Sequence, residues 1–334
     1  FAGVIASFSF FLISSFGKFE VSGTGSLATL QRLSCANIDV EPGKVVYTQW
    51  LNNRGGIEAD LTIARLDDKR FYVITGIASL KRDWSRLNKN IQPDTQTRDI
   101  SMELACLSVQ GPNSRHVLQK ITDTDLKNVE FKFGTGRFVY IGDSRIWMQR
   151  LSYVGELGWE LHHPIEYQNH IFDNLMAAGQ DLGLKPFGIR AMDSMRIEKS
   201  YRLVGTELSI EYAAFESGLD RFVHPNKGDF IGRDALVKWQ QKGFANQFVT
   251  FEVCDIKDAD ALGNNPIYDS EEVIGRATGG NYGFRTKKSL MLGMIRPKYA
   301  KLGTKLTTDI LGTKHSVTVI EESPYDPENK LLRT

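Results

Sequence analysis

Asn52-Asn53-Arg54-Gly55-Gly56-Ile57-Glu58-Ala59-Asp60-Leu61-Thr62 carries two signals at once. From Ile57 onward, apolar and polar side chains alternate with the period of two of a β-strand. Ile57, Ala59, Leu61 and Ile63 share one face; Glu58, Asp60 and Thr62 share the other. Val45 to Leu51 and Arg70 to Gly76 also read as strands, with Asn52 to Gly55 and Asp67 to Lys69 as turns. The region is therefore a meander of hairpins. The Gly55-Gly56 pair permits close approach of a ligand to the backbone. The polar row has two readings, a solvated outer face or the wall of a site, and pattern alone favours the outer face.

The texture on either side sets the fold class. Lys18 to Ser22 alternates as a strand, and Ser26 to Cys35 has helical spacing. Ser79 to Asn90 is a helix, Met102 to Gln110 a strand, and Pro112 opens a further helix. Gly136 to Gly142 and Arg145 to Tyr153 form a hairpin, followed by a short strand from Trp159 to His162. Helices are expected over Glu166 to Leu182, Pro186 to Lys199 and Gly232 to Gly243. Beyond Phe244 only strand-like runs appear: Gln247 to Cys254, Val273 to Arg276, Leu290 to Arg296, Lys305 to Leu311 and His315 to Glu321. A boundary near 244 divides the chain into an α+β part, 1–243, and a C-terminal β-barrel or sandwich, 244–334.

The 334 residues are 41% hydrophobic and 24% charged, an ordinary globular composition. Lys+Arg is 41 against Asp+Glu 40, a net charge of +1, so the basic excess of a nucleic-acid binder is missing. Cys35, Cys106 and Cys254 are widely spaced, with no CxxC and no Cys/His cluster in sequence. Neither a disulfide framework nor a metal site is expected, and a reducing compartment fits best. The uncharged run Phe1 to Phe16 falls short of the ~20 residues that cross a bilayer, and it lacks a signal peptide's basic lead. No membrane association is expected; the run reads as a buried first segment.

Besides the Asn52 to Thr62 row, three constellations compete for a functional role. Gly23-Thr24-Gly25-Ser26-Leu27-Ala28 matches a dinucleotide fingerprint. The strand before it alternates, however, whereas the first strand of such a fold is buried on both faces, so a plain glycine turn is preferred. In Ser152 to Leu161, Glu160 lies beside Tyr153 and Trp159, an arrangement that suits a flat guanidine-like heterocycle, with an exposed strand as the alternative. In Arg190 to Lys199, the set Arg190, Asp193 and Arg196 is either an intrahelical ion lattice or a carboxylate-binding arginine site. No GxSxG, HExxH or Walker A pattern occurs.

Ser14 to Gly23, Asn52 to Thr62, Tyr153 to Leu161, Arg190 to Lys199, Asp229 to Leu236 and Ser323 to Lys330 follow one another in a familiar order. From about Ser14 to its end the chain resembles the folate-binding aminomethyltransferase fold of the glycine cleavage T-protein. It looks most like the C-terminal half of dimethylglycine and sarcosine dehydrogenases. The resemblance implies an α+β, cloverleaf-like arrangement around a central folate hole, ending in a β-barrel. It implies tetrahydrofolate as cofactor and Asp60 as the catalytic acid/base. It makes Thr62, Gly76, Tyr153, Glu160 and Arg196 cofactor-binding residues, with Glu160 recognising the pterin.

The same resemblance implies one-carbon transfer to tetrahydrofolate, giving 5,10-methylenetetrahydrofolate, with an N-methyl amine or aminomethyl compound as donor. It requires no metal. FAD belongs to an upstream domain of the dehydrogenases that this sequence does not include. The chain is then expected to be a fragment, the product of a disturbed gene, or one subunit of a split enzyme. A free-standing aminomethyltransferase or folate-dependent demethylase is the first alternative, and a non-catalytic regulatory subunit the second. The expected location is the bacterial cytoplasm or, in a eukaryote, the mitochondrial matrix.

Overall fold

The computed structural model describes residues 9–256 and 258–334. The first eight residues of the apolar opening run thus lie outside the described part. Strand β1 (Ser9–Leu12) is followed by β2 (Gly17–Ser22), helix α1 (Ser26–Leu33), β3 (Val45–Leu51), β4 (Ile57–Arg65), β5 (Arg70–Thr75), α2 (Leu80–Lys89) and β6 (Gln96–Asp99). The expected meander is present, in a five-stranded sheet of order β3-β4-β5-β2-β6. Ile63 of β4, Val73 of β5 and Phe19 of β2 lie in register and form a core with Ala59, Leu61, Leu30, Leu33 and Leu87. Alternation then forces Asp60 and Thr62, with Gln49, Tyr47, Ile74, Tyr72 and Lys18, onto the opposite face.

Every strand pair in this sheet is antiparallel. A Cβ on Gly23 would lie 2.1 Å from the Asp94 carbonyl oxygen, and one on Gly25 2.0 Å from that of Pro93. These glycines serve chain-on-chain packing, and the dinucleotide reading falls. Strand β6 escapes notice in sequence because Gln96, Thr97, Arg98 and Asp99 carry no apolar alternation.

The second sheet is built from β7 (Leu104–Gln110), α3 (Ser114–Gln119), β8 (Gly136–Ile141), β9 (Ser144–Gln149), β10 (Gly158–Pro164), α4 (Gln168–Gly179), β11 (Lys185–Pro186) and α5 (Ile189–Glu198). Its order is β11-β1-β7-β10-β9-β8. Pro186, expected in a helix, instead pairs with Phe10 across a short parallel contact. Leu107, Val109, Met148, Trp159 and Leu161 pack on Val117, Leu118, Ile171 and Leu175 of α3 and α4. Cys106, Ser108, Trp147, Gln149, Glu160 and His162 occupy the other face. That face meets the polar face of the first sheet. Trp147 packs with Ala64, Tyr72 and Ile74, and the Tyr72 hydroxyl lies 2.9 Å from His162 Nδ1.

Helix α6 (Arg233–Lys242) leads into β12 (Gln247–Val253), β13 (Pro266–Asp269), β14 (Glu272–Gly283), β15 (Lys288–Ile295), β16 (Lys305–Ile310) and β17 (Thr313–Ile320). These six strands close into a barrel of order β12-β15-β14-β13-β16-β17 around Phe251, Ile267, Ala277, Met291, Ile295 and Val317. The α+β class with a terminal barrel holds. Strand β13 was not expected, and β14 runs seven residues past the expected Arg276. A bulge between Ala277 and Gly279, followed by Gly280, interrupts the alternation that would have revealed it. Among the described residues no helix is long and apolar enough to cross a membrane.

Candidate functional site

Asp60 sits mid-strand on the inner face of the first sheet, and pairing places Gln49 opposite it. Gln49 Nε2 donates to Asp60 Oδ1 at 2.9 Å, and the Tyr47 hydroxyl also hydrogen-bonds the carboxylate. Both donors are neutral. Burial raises the Asp60 pKa to about 6, against the pull of these donors and with a further push from the buried Asp83 carboxylate. Two residues earlier, Glu58 has a different fate: it forms an ion pair with Arg86 of α2, which also donates to the Leu51 carbonyl. Thr62 lies beside Asp60, between Tyr47 on β3 and Ile74 on β5. Gly76 follows β5 with an ordinary φ of −64°, and a Cβ there would meet nothing within 4 Å. The outer-face reading of this row is therefore corrected: the row faces the other sheet.

Glu160 comes from the facing surface of the second sheet. Its Oε2 accepts from Gln149 Nε2 at 2.7 Å and lies 3.3 Å from His162 Nε2. Its Oε1 has no hydrogen bond to a described residue. His162 is 2% exposed, and burial lowers its pKa despite the Glu160 contact. Cys106 Sγ lies 3.6 Å from His162 Nε2, and burial holds its thiol well above the usual range. The ligating atoms of Cys106, Glu160 and His162 all fall within 4.8 Å of one another. A cysteine and histidine 56 residues apart thus meet where no cluster is visible in sequence, and hydrogen bonds account for the contacts.

Trp159 is not beside Glu160. It points into the core under α3 and α4 and is fully buried. Period-two alternation requires this, since adjacent residues of a strand face opposite ways. Tyr153, in the connection after β9, stacks on Tyr201 with ring centroids 5.8 Å apart and donates to the Arg202 carbonyl at 2.7 Å. Burial raises its pKa; Arg196 opposes that shift, and Asp60 adds to it. Asp60, Tyr153 and Arg196 are thereby brought within electrostatic reach of one another.

Arg196 is 3% exposed. Its Nε donates to Asp193 Oδ1 at 2.7 Å and its Nη1 to the Tyr201 carbonyl at 2.9 Å, while Nη2 is hydrogen-bonded to no described residue. Burial works against its charge, but Tyr153, Asp193 and Glu207 outweigh that and its pKa is raised. The ion lattice of α5 is real for Asp193 and Arg196, whereas Arg190 is exposed and stands outside it. The supports missed in sequence are Gln49, Tyr47, Gln149, Tyr72 and His162. Gln49 and Gln149 do sit opposite the two carboxylates, a signal available once strand pairing is known.

Residues 2–227 match the family model described as the GCVT N-terminal domain, and residues 246–326 match the glycine cleavage T-protein C-terminal barrel domain. The chain is 34% identical over 314 residues to mitochondrial dimethylglycine dehydrogenase of Rattus norvegicus, covering 93% of this chain and 36% of that protein. It spans about a third of such dehydrogenases. It is 32% identical to an aminomethyltransferase of Thermoanaerobacter sp. (strain X514), covering 96% of this chain and 87% of that protein. In fold it superposes on the glycine cleavage system aminomethyltransferase T of Bartonella henselae with a TM-score of 0.88, at 24% identity over 97% of this chain and 88% of that one. Two family models in the right order, on a fold with facing polar sheets and a closed barrel, place the chain in the glycine cleavage T-protein family.

Proposed function

We propose that this chain binds tetrahydrofolate between its two facing sheets and acts in one-carbon transfer, with Asp60 as the acid/base. The observation that carries this reading is the Asp60 carboxylate itself: half-buried, held by two neutral donors, in no ion pair with a described residue, and poised at about pH 6. The groups around it fit a folate. Among the described residues Glu160 Oε1 and Arg196 Nη2 make no hydrogen bond, leaving an acceptor for a guanidine-like edge and a free guanidinium nitrogen, and a Cβ on Gly76 would meet nothing within 4 Å.

Tetrahydrofolate supplies two amines, N5 and N10, which take up the one-carbon unit as 5,10-methylenetetrahydrofolate. Everything else falls to the chain. Glu160 accepts the N–H groups of the pterin edge and fixes its orientation. Tyr153 and Arg196 would add further contacts to the folate, with Thr62 on the strand face that carries Asp60 and Gly76 just past β5. Ionised Asp60 stabilises the cationic donor carbon and takes the N5 proton as the first C–N bond forms; that proton goes to the donor amine as its own C–N bond breaks and it departs, and Asp60 then takes the N10 proton as the second C–N bond closes. Gln49 and Tyr47 hold the carboxylate still, so that it acts by position.

The donor is the iminium left when an N-methyl amine is oxidised, made by a FAD-containing domain or subunit like the remainder of the longer dehydrogenases. A second reading takes the donor to be an aminomethyl compound, in keeping with the 32% identity to the Thermoanaerobacter aminomethyltransferase. In either case residues 1–243 form the folate-binding part and 244–334 the barrel. The test supplies formaldehyde or an aminomethyl donor and follows methylenetetrahydrofolate. Asp60→Asn is expected to keep folate binding and to lower the rate by on the order of 10²–10⁴. Glu58→Gln is expected to act on stability through Arg86 and to leave the rate within a few-fold. Normal turnover by Asp60→Asn sinks the assignment.

A further inference from the structure

We propose that Tyr72 and His162 form a hydrogen-bonded relay across the two sheets that orients Glu160 for the folate. They are positioning residues, and the inference rests on Glu160 being the pterin ligand. The geometry settles the direction of each bond. An ionised carboxylate only accepts, so the 3.3 Å contact to Glu160 Oε2 requires the proton on His162 Nε2. Burial keeps the imidazole neutral, which leaves Nδ1 as an acceptor, and the Tyr72 hydroxyl at 2.9 Å is its donor. Tyr72 belongs to β5 of the first sheet and His162 to β10 of the second, so the chain of bonds crosses the interface.

A second donor converges on the same oxygen. Trp147 Nε1 donates to Gln149 Oε1 at 3.0 Å, which orients that amide so that its Nε2 donates to Glu160 Oε2 at 2.7 Å. Two donors on Oε2 fix the plane of the carboxylate and leave Oε1 as the acceptor offered to a ligand. Cys106 closes the space behind Nε2 with an un-ionised thiol. The seat for the heterocycle thus depends on both sheets: Gln149, Trp147 and His162 from one, Tyr72 from the other.

The experiment measures tetrahydrofolate affinity by calorimetry, together with KM and kcat, for Glu160→Gln, Tyr72→Phe, His162→Leu and His162→Gln. Tyr72→Phe deletes one oxygen and is expected to raise Kd and KM by roughly threefold to tenfold, the range for losing a neutral hydrogen bond, with kcat unchanged. His162→Gln, which retains an N–H donor, is expected to lose less affinity than His162→Leu. Glu160→Gln is expected to lose about tenfold or more. If Glu160→Gln weakens binding while Tyr72→Phe and His162→Leu bind normally, the relay is wrong and the pterin reading stands. If Glu160→Gln binds normally, the pterin reading fails and the relay with it. A lowered melting temperature with unchanged Kd for Tyr72→Phe makes the bond merely structural and also overturns the proposal.

Discussion

Glu58 and Asp60 stand two residues apart on one strand face, yet their partners differ in kind. Arg86 neutralises Glu58, whereas Gln49 and Tyr47 offer Asp60 hydrogen bonds without charge. The consequence is a coupling of stability to pH. The folded pKa, about 6, lies above the usual carboxylate value of 3.8, so the fold favours the protonated acid. That contribution is complete below about pH 4 and is lost as pH rises through 6; above it, the ionised carboxylate is a net cost. Asp60→Asn carries no such cost. It is expected to be more stable than the parent by about 1–3 kcal/mol at pH 7.5, with the gap closing toward pH 4, as read from denaturant midpoints at the two pH values. Activity runs the other way and is expected to rise with pH through about 6, because the base must be ionised.

At the scale of the element, β4 and its glycines show which positions serve the fold and which the site. Gly56 bridges Ala213, and a Cβ there would lie 2.3 Å from the Ile210 carbonyl oxygen. Backbone cannot swing aside as a side chain can, so Gly56→Ala is expected to cost about 1–3 kcal/mol in chemical denaturation. Gly76 is the opposite case. With φ of −64° and empty space where a Cβ would go, Gly76→Ala is expected to leave stability within about 0.5 kcal/mol. If folate fills that space, the methyl group raises the folate Kd by roughly tenfold, a cost of about 1.4 kcal/mol read by calorimetry. Unchanged affinity would remove Gly76 from the pocket.

Across the whole molecule, a buried arginine ties the site to the barrel. Arg285, in the connection between β14 and β15, bonds Glu198 of α5 at 2.5 Å and Glu156 at 2.7 Å. It also donates to the carbonyls of Val154 and Met195, both at 3.0 Å. Its guanidinium lies 3.7 Å from the Tyr325 ring centroid, and the Tyr325 hydroxyl donates to Glu156 at 2.7 Å. One side chain thereby joins the barrel, α5, the loop that carries Tyr153 and the Ser323 to Lys330 tail. Arg285→Met strands two buried carboxylates and is expected to cost about 3–5 kcal/mol in denaturant unfolding. At low temperature, where the variant remains folded, its folate affinity is expected to fall as the Tyr153 loop loses its anchor. Unchanged stability would show that the network is compensated elsewhere.

Much of this molecule is determined locally. Alternation along Ile57 to Ile63 specifies a strand whatever surrounds it, and the turns at Asn52 and Asp67 specify its neighbours. The terminal barrel is legible in most of its strands for the same reason. Local pattern fails at β6, which lacks apolar residues, and at β13 and β14, where Pro266 and the Gly279-Gly280 pair break the period. What alternation leaves open is the use of a polar face. The same Glu-x-Asp-x-Thr row suits open water or a second sheet, and only the docking of β9 and β10 against β4 and β5 chooses. The glutamines that hold the two carboxylates lie 11 residues away across a strand pair, and the Tyr72–His162 bond behind Glu160 spans 90 residues across the sheet interface. Such contacts are products of pairing and packing, so the candidate acids were legible in the chain while the groups that hold them were decided by the tertiary structure.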